Sequence, residues 1–202
     1  MDKDNYQLIK NITTNATLLW KVARGFAPDD VADILDDAKL DWMLELTNTL
    51  EIWIDKGESM SEGELLLARV NMGALVESWL KLFYCVYNED YAKSPIREHG
   101  RPQEAYEASF AKLIEYTDGT FFEDKNDPLY AWIDKIRKYR NSIHAFMGKN
   151  IGTAKEFLSD IDEFKEFVEK IHLKLPPIED YVDDYPAGYI LNVFSVDNNA
   201  QF

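Results

Sequence analysis

The chain has 202 residues, a formal net charge of −15, and 46% hydrophobic and 13% aromatic residues. That length suits one domain with a real core, and the apolar content excludes a disordered chain. The acidic balance excludes a general nucleic-acid coat, and the single cysteine, Cys85, excludes an intramolecular disulfide or a Cys-based zinc cage.

Met1 is followed by Asp-Lys-Asp, with no basic segment and apolar run, so no secretory signal is expected. An amphipathic helix is predicted from Asn5 to near Arg24, with the run Thr13-Thr14-Asn15-Ala16-Thr17 as the place where it breaks. Pro28, Asp29 and Asp30 look like the start of a second helix, and a third runs from Leu40 to near Lys56, stopped by Gly57. Ser61 and Glu64 form a capping-box pattern opening the most apolar helix, predicted over residues 64–91. Arg69, Asn71, Glu77 and Lys81 interrupt this helix, which argues against a membrane span and for a soluble, cytoplasmic protein. Gly73, Ala74 and Ser78 leave room for another helix to approach it closely.

A loop over residues 94–102 leads into a helix predicted to start at Pro102 and to end near Asp118 and Gly119. Asp127 then caps a helix with Pro128 in its first turn, predicted to run to Met147. Thr153 and Glu156 form a second capping box before a last helix with Phe157, Ile161, Phe164, Val168 and Ile171 on one face. Pro176 and Pro177 close the helical part. The expected fold is all-α, one bundle of about six to seven helices over residues 1–175, with residues 176–202 an irregular acidic C-terminal tail.

The helix over residues 128–147 is the anomaly. Leu129, Ile133, Ile136, Ile143 and Met147 define its apolar stripe, and at about 100° per residue Arg140 lies near the centre of that stripe. His144 follows one turn later and Arg137 precedes by one turn. A guanidinium aimed at a core is costly unless it is paired or serves a site. The same stretch is a basic island in an acidic chain: Lys135, Arg137, Lys138, Arg140 and Lys149 face one acid, Asp134. Residues four apart on a helix share a face, so Arg140 and His144 can address one ligand group, with Asn141 beside them. Arginine offers a fork of donors suited to phosphate, and histidine exchanges a proton near neutral pH. Cleavage of an RNA phosphodiester without a metal needs those two functions.

At Arg137, Arg140, Asn141 and His144 the sequence resembles the HEPN superfamily, whose usual signature is an Arg, often followed by Asn or another polar residue, then four to six residues, then a His; the Arg140–His144 spacing is one residue short of that range. The resemblance covers this helix and, loosely, the helix over residues 64–91. It implies a short all-α bundle and, in many members, a metal-independent ribonuclease of toxin–antitoxin, phage-defence or RNA-processing systems. Two motif copies meet at a homodimer interface in such members, and the ligand is RNA or a nucleotide phosphate. The family's His maps to His144. Its Arg maps to Arg140, which has three intervening residues, or to Arg137, which has six. Glu77 and Lys81, one turn apart on the central helix, are expected to support these arginines or simply to pair with each other.

Two other readings stand beside this one. In the first, Arg140 pairs with Glu77 to lock two helices, and the chain is a non-catalytic scaffold or dimerisation module. In the second, Glu104 and Glu107 face Glu163 and Glu166 and hold Mg²⁺, as in all-α nucleotide pyrophosphohydrolases. His99 lies between Arg97 and Arg101 in a polar loop, His172 suits a helix C-terminus, and Cys85 reads as a core thiol. The acidic tail is a candidate cover for the basic island.

Overall fold

The apolar periodicities resolve into eight α-helices among the described residues, 2–144 and 146–177 of a computed structural model. These are α1 (Asp2–Trp20), α2 (Asp29–Asp37), α3 (Leu40–Lys56), α4 (Glu62–Val86), α5 (Asn88–Lys93), α6 (Phe110–Thr117), α7 (Pro128–Arg140) and α8 (Ala154–Lys174). A two-stranded hairpin, β1 (Arg97–Glu98) and β2 (Arg101–Pro102), interrupts them. The architecture is the expected all-α bundle. Expectations for residues 178–202, including the tail as a cover for the basic island, lie outside the described residues.

The helix predicted as central is central. α4 packs against α3, α7 and α8, while α1 packs against α3 and α8. Met72, Leu75, Val76, Trp79 and Leu80 of α4 are fully buried, and so are Phe157, Ile161, Phe164, Phe167 and Ile171 of α8. Among the described residues no helix is long and apolar enough to cross a membrane.

Both capping boxes form. Ser61 accepts from the Glu64 N–H while Glu64 accepts from the Ser61 N–H, and Thr153 and Glu156 repeat the exchange at α8. The Lys56 ammonium, 2.6 Å away, and the Ser61 N–H hold the Glu64 carboxyl down to about 2. A depressed carboxylate adds stability above its ordinary range, and that stability is lost as pH falls through the lowered value. In urea titrations, the gap between the native chain and Glu64→Gln is therefore expected to be widest near neutral pH and to close near pH 2. A gap that stays constant with pH would contradict this.

Four expectations need correction. α1 does not break at its threonines, because Thr13, Thr14 and Thr17 each donate a hydroxyl to a carbonyl four residues back and stay within the helix. The central helix stops at Val86, where Tyr87 leaves helical geometry, and resumes as the separate α5; this raises the helix count above the expected six or seven. Pro102 starts no helix. It pairs with Arg97 in the hairpin, whose two turn residues His99 and Gly100 have φ of 50° and 80°, the left-handed pair of a type I′ turn. α6 begins instead at Phe110, capped by Ser109.

The fourth correction concerns the helix that starts at Pro128. Asp127 accepts the Leu129 N–H and Pro128 takes the first turn, as expected, but α7 ends at Arg140 rather than Met147. Residues Asn141–His144 form a 3₁₀ turn. Ser142 donates its hydroxyl to the Lys138 carbonyl, a side-chain bond that competes with a continued helical ladder. The apolar stripe also stops early: Ile136 is buried, whereas Ile143, Phe146 and Met147 are exposed.

Candidate functional site

The end of α7 lies directly on α4 at Gly73. A Cβ placed on Gly73 would stand 2.5 Å from Arg140 Cβ and 2.7 Å from its Cγ, so only glycine lets α7 come this close. Arg140 then runs along α4 to Glu77. Its Nη2 donates to Glu77 Oε2 at 2.9 Å and its Nη1 to Asn141 Oδ1 at 3.2 Å. Glu77 Oε1 lies 3.1 Å from Lys81 Nζ. Glu77 thus pairs with Lys81 along α4 and with Arg140 across to α7, and does not reach Arg137. Arg140 is not at the centre of a buried stripe; its side chain is 34% exposed.

Arg137 goes elsewhere. Its Nε and Nη2 both reach Asp134 Oδ1, at 2.9 and 2.7 Å, while Lys138 takes Asp134 Oδ2 at 2.7 Å. Partial burial raises the Asp134 pKa, but the hydrogen bonds from Lys138 and Arg137 outweigh it and hold the carboxyl below the usual range. His144 is exposed, and the 3₁₀ turn before it replaces the helical step that would align it with Arg140. The structure brings Arg140, Asn141, Glu77 and Lys81 together. It leaves Arg137 with Asp134, and His144 exposed at the end of the 3₁₀ turn.

The electrostatic consequence is plain. Arg140 and Lys81 share one carboxylate, Glu77, while Arg137 and Lys138 share another, Asp134, elsewhere on α7. Every side chain is paired, yet positive charge remains in surplus. Arg140 also has more N–H donors than these two bonds use.

Behind it lies a cluster not anticipated from sequence. Arg69 of α4 is fully buried and pairs with Asp160 of α8, which is equally buried. Asp160 Oδ1 also accepts from Trp132 Nε1 at 2.9 Å and from Lys135 Nζ at 2.5 Å, both on α7. The Arg69 guanidinium stacks over Tyr139 at 4.5 Å, and its Nε donates to the Ile151 carbonyl at 3.0 Å. One side chain thus anchors the chain just before Arg140 and again after the motif. The signal was present: Asp160 stands three residues after Phe157 and four before Phe164, and Arg69 four after Leu65, both at core positions of their helices.

The other candidates resolve individually. Glu104 and Glu107 lie in the turn before α6, not on a helix facing Glu163 and Glu166. Among the described residues no group of three or more His, Cys, Asp or Glu is placed to hold a metal. Arg97 folds back to the Gly100 carbonyl at 3.0 Å within the hairpin of His99 and Arg101. Burial lowers the pKa of His172 and pushes the Cys85 thiol up to about 12, the state of an inert core thiol. Comparison with known protein families, with curated proteins and with solved structures finds no match.

Proposed function

We propose that the chain is a HEPN-like protein that binds RNA phosphate at the end of α7 and cleaves the phosphodiester without a metal, as a homodimer. The observation carrying this reading is the cation surplus at Arg140, where Arg140 and Lys81 share Glu77, in a basic stretch of an acidic chain that also holds the exposed His144. His144 would take the proton of a 2′-hydroxyl as that oxygen attacks phosphorus, and a proton would return to the departing 5′-oxygen. Arg140 would hold the phosphate oxygens as charge builds on them. Asn141 orients Arg140 through its Oδ1, and Glu77 with Lys81 fixes the guanidinium from the other side.

The test is cleavage of single-stranded RNA in EDTA. His144→Ala is expected to lower the rate by about 10²- to 10⁴-fold with the melting temperature unchanged, since the imidazole is exposed. Wild-type protein that neither cleaves nor binds RNA at low salt would sink the proposal.

The Arg140–Glu77 bond favours a second reading, a non-catalytic module in which Arg140 only ties α7 to α4. That pair is partly exposed, so a site role predicts a stability loss of about 1 kcal/mol or less for Arg140→Ala. A much larger loss, with no RNA binding, would favour the scaffold.

A further inference from the structure

The C-terminal end of α4 carries an aromatic cluster that the proposed chemistry does not use. Phe83 stands about 15 Å along α4 from Gly73, away from Arg140. It packs on Tyr84 at 5.2 Å and on Tyr87 at 5.0 Å. Tyr116 of α6 packs on Tyr84 at 5.0 Å and on Tyr91 of α5 at 5.3 Å. These five rings line a cavity of about 400 Å³. Phe83, Tyr84 and Tyr91 are buried, whereas Tyr87 and Tyr116 are only partly so and keep ring surface open to the cavity.

Polar groups at this cavity are few. Asp90 lines it; its Oδ1 takes Lys93 Nζ at 2.6 Å, and its Oδ2 has no bond among the described residues. Lys174 lines it too, with its ammonium 5.6 Å from the Phe121 ring centre. The hydroxyls of Tyr84, Tyr87 and Tyr91 are already bonded, to Thr120 Oγ1 and to the carbonyls of Lys174 and Gln103. The Tyr116 hydroxyl has no partner among the described residues. Burial raises the pKa of all four phenols, so they stay neutral.

We propose that this cavity binds a nucleobase, guanine by preference, stacked on Tyr87 and Tyr116. The site lies apart from Arg140 and needs none of the chemistry assigned to His144. Its mixed charge decides the class of ligand. Lys174 repels a simple cation, which an aromatic lining would otherwise favour, and Asp90 repels a simple anion. A neutral planar body with donors and acceptors on its edge satisfies both. Stacking on tyrosine tolerates any base, so the preference comes from the edge. Of the four RNA bases only guanine offers two adjacent N–H donors to a carboxylate, and its O6 and N7 accept from an ammonium or a hydroxyl. Lys93 does not preclude this, since each carboxylate oxygen has room for a second bond. The volume is near the small end for ligand pockets, which suits a single base.

The test is equilibrium dialysis of the full-length chain against guanosine, adenosine, cytidine and uridine. Saturable binding of one guanosine per chain is expected, about tenfold tighter than the other three. Asp90 is exposed, so Asp90→Asn should leave the melting temperature unchanged and remove the preference. Tyr116→Leu should weaken all four nucleosides about tenfold. No saturable binding of any nucleoside at millimolar concentration would overturn the proposal. So would equal binding of all four that Asp90→Asn leaves unchanged, or binding of tetramethylammonium in place of guanosine. Guanosine monophosphate and a short RNA with one unpaired guanine separate the two sources of the base; whichever displaces labelled guanosine at lower concentration names the source. Guanosine binding by protein inert toward RNA keeps this site and removes the ribonuclease reading; RNA cleavage without guanosine binding removes this site alone.

Discussion

Replacing Asp160 by alanine is expected to lower the unfolding free energy by about 3–5 kcal/mol, read as a shift of the urea midpoint at constant slope. Asp160 accepts from Arg69, Trp132 and Lys135 while almost fully buried. Its removal strands the Arg69 charge in the core, and that penalty dominates. Lys135 contributes little, because its side chain is 41% exposed and can turn to water. The Trp132 N–H loses its acceptor at a cost of about 1–3 kcal/mol. The control is Asp160→Leu combined with Arg69→Met, which removes both charges and should recover most of the loss. A loss below about 1 kcal/mol for the single variant would mean that Arg69 finds another partner.

Gly73→Leu should cost about 3 kcal/mol, the upper end for overpacking a close contact. The clash falls on Arg140 Cβ and Cγ; a χ1 rotation can move Cγ, but Cβ is fixed by the α7 backbone and cannot swing aside. Relief requires the end of α7 to lift from α4, breaking the 2.9 Å Arg140–Glu77 bond. Arg140→Gly removes both clashing atoms, so Gly73→Leu should cost clearly less in that background. Strict additivity of the two substitutions would show that the close approach is not what limits position 73.

Much of this was legible in the sequence. Both capping boxes, the Asp127–Pro128 start and the breadth of the apolar face of α4 follow from local rules, and the local rules held. Gly73 as a docking point was readable because a small residue in an apolar helix has little other use. The length of α7 was not. Ile143 and Met147 have the right spacing to extend the stripe, but nothing packs over them, and periodicity cannot tell a buried stripe from an exposed one. Glu77 was found as the partner of Arg140 because both interrupt apolar faces. Asp160 is legible only in its register with Phe157 and Phe164, which sets it apart from Glu163 and Glu166.

Arg69 touches Tyr139 on one side of the motif and the Ile151 carbonyl on the other, and the exposed residues 146–150 rejoin the bundle at that same guanidinium. With its ends closed by the core, the excursion between them costs little to lengthen: each doubling of a flexible loop adds about 0.6 kcal/mol of closure entropy. Substitutions and insertions at the exposed residues 146–150 are therefore nearly free for folding, while changes at Arg69 and Asp160 are not. A lineage could exchange the residues that meet a ligand many times over without rebuilding the bundle that holds them.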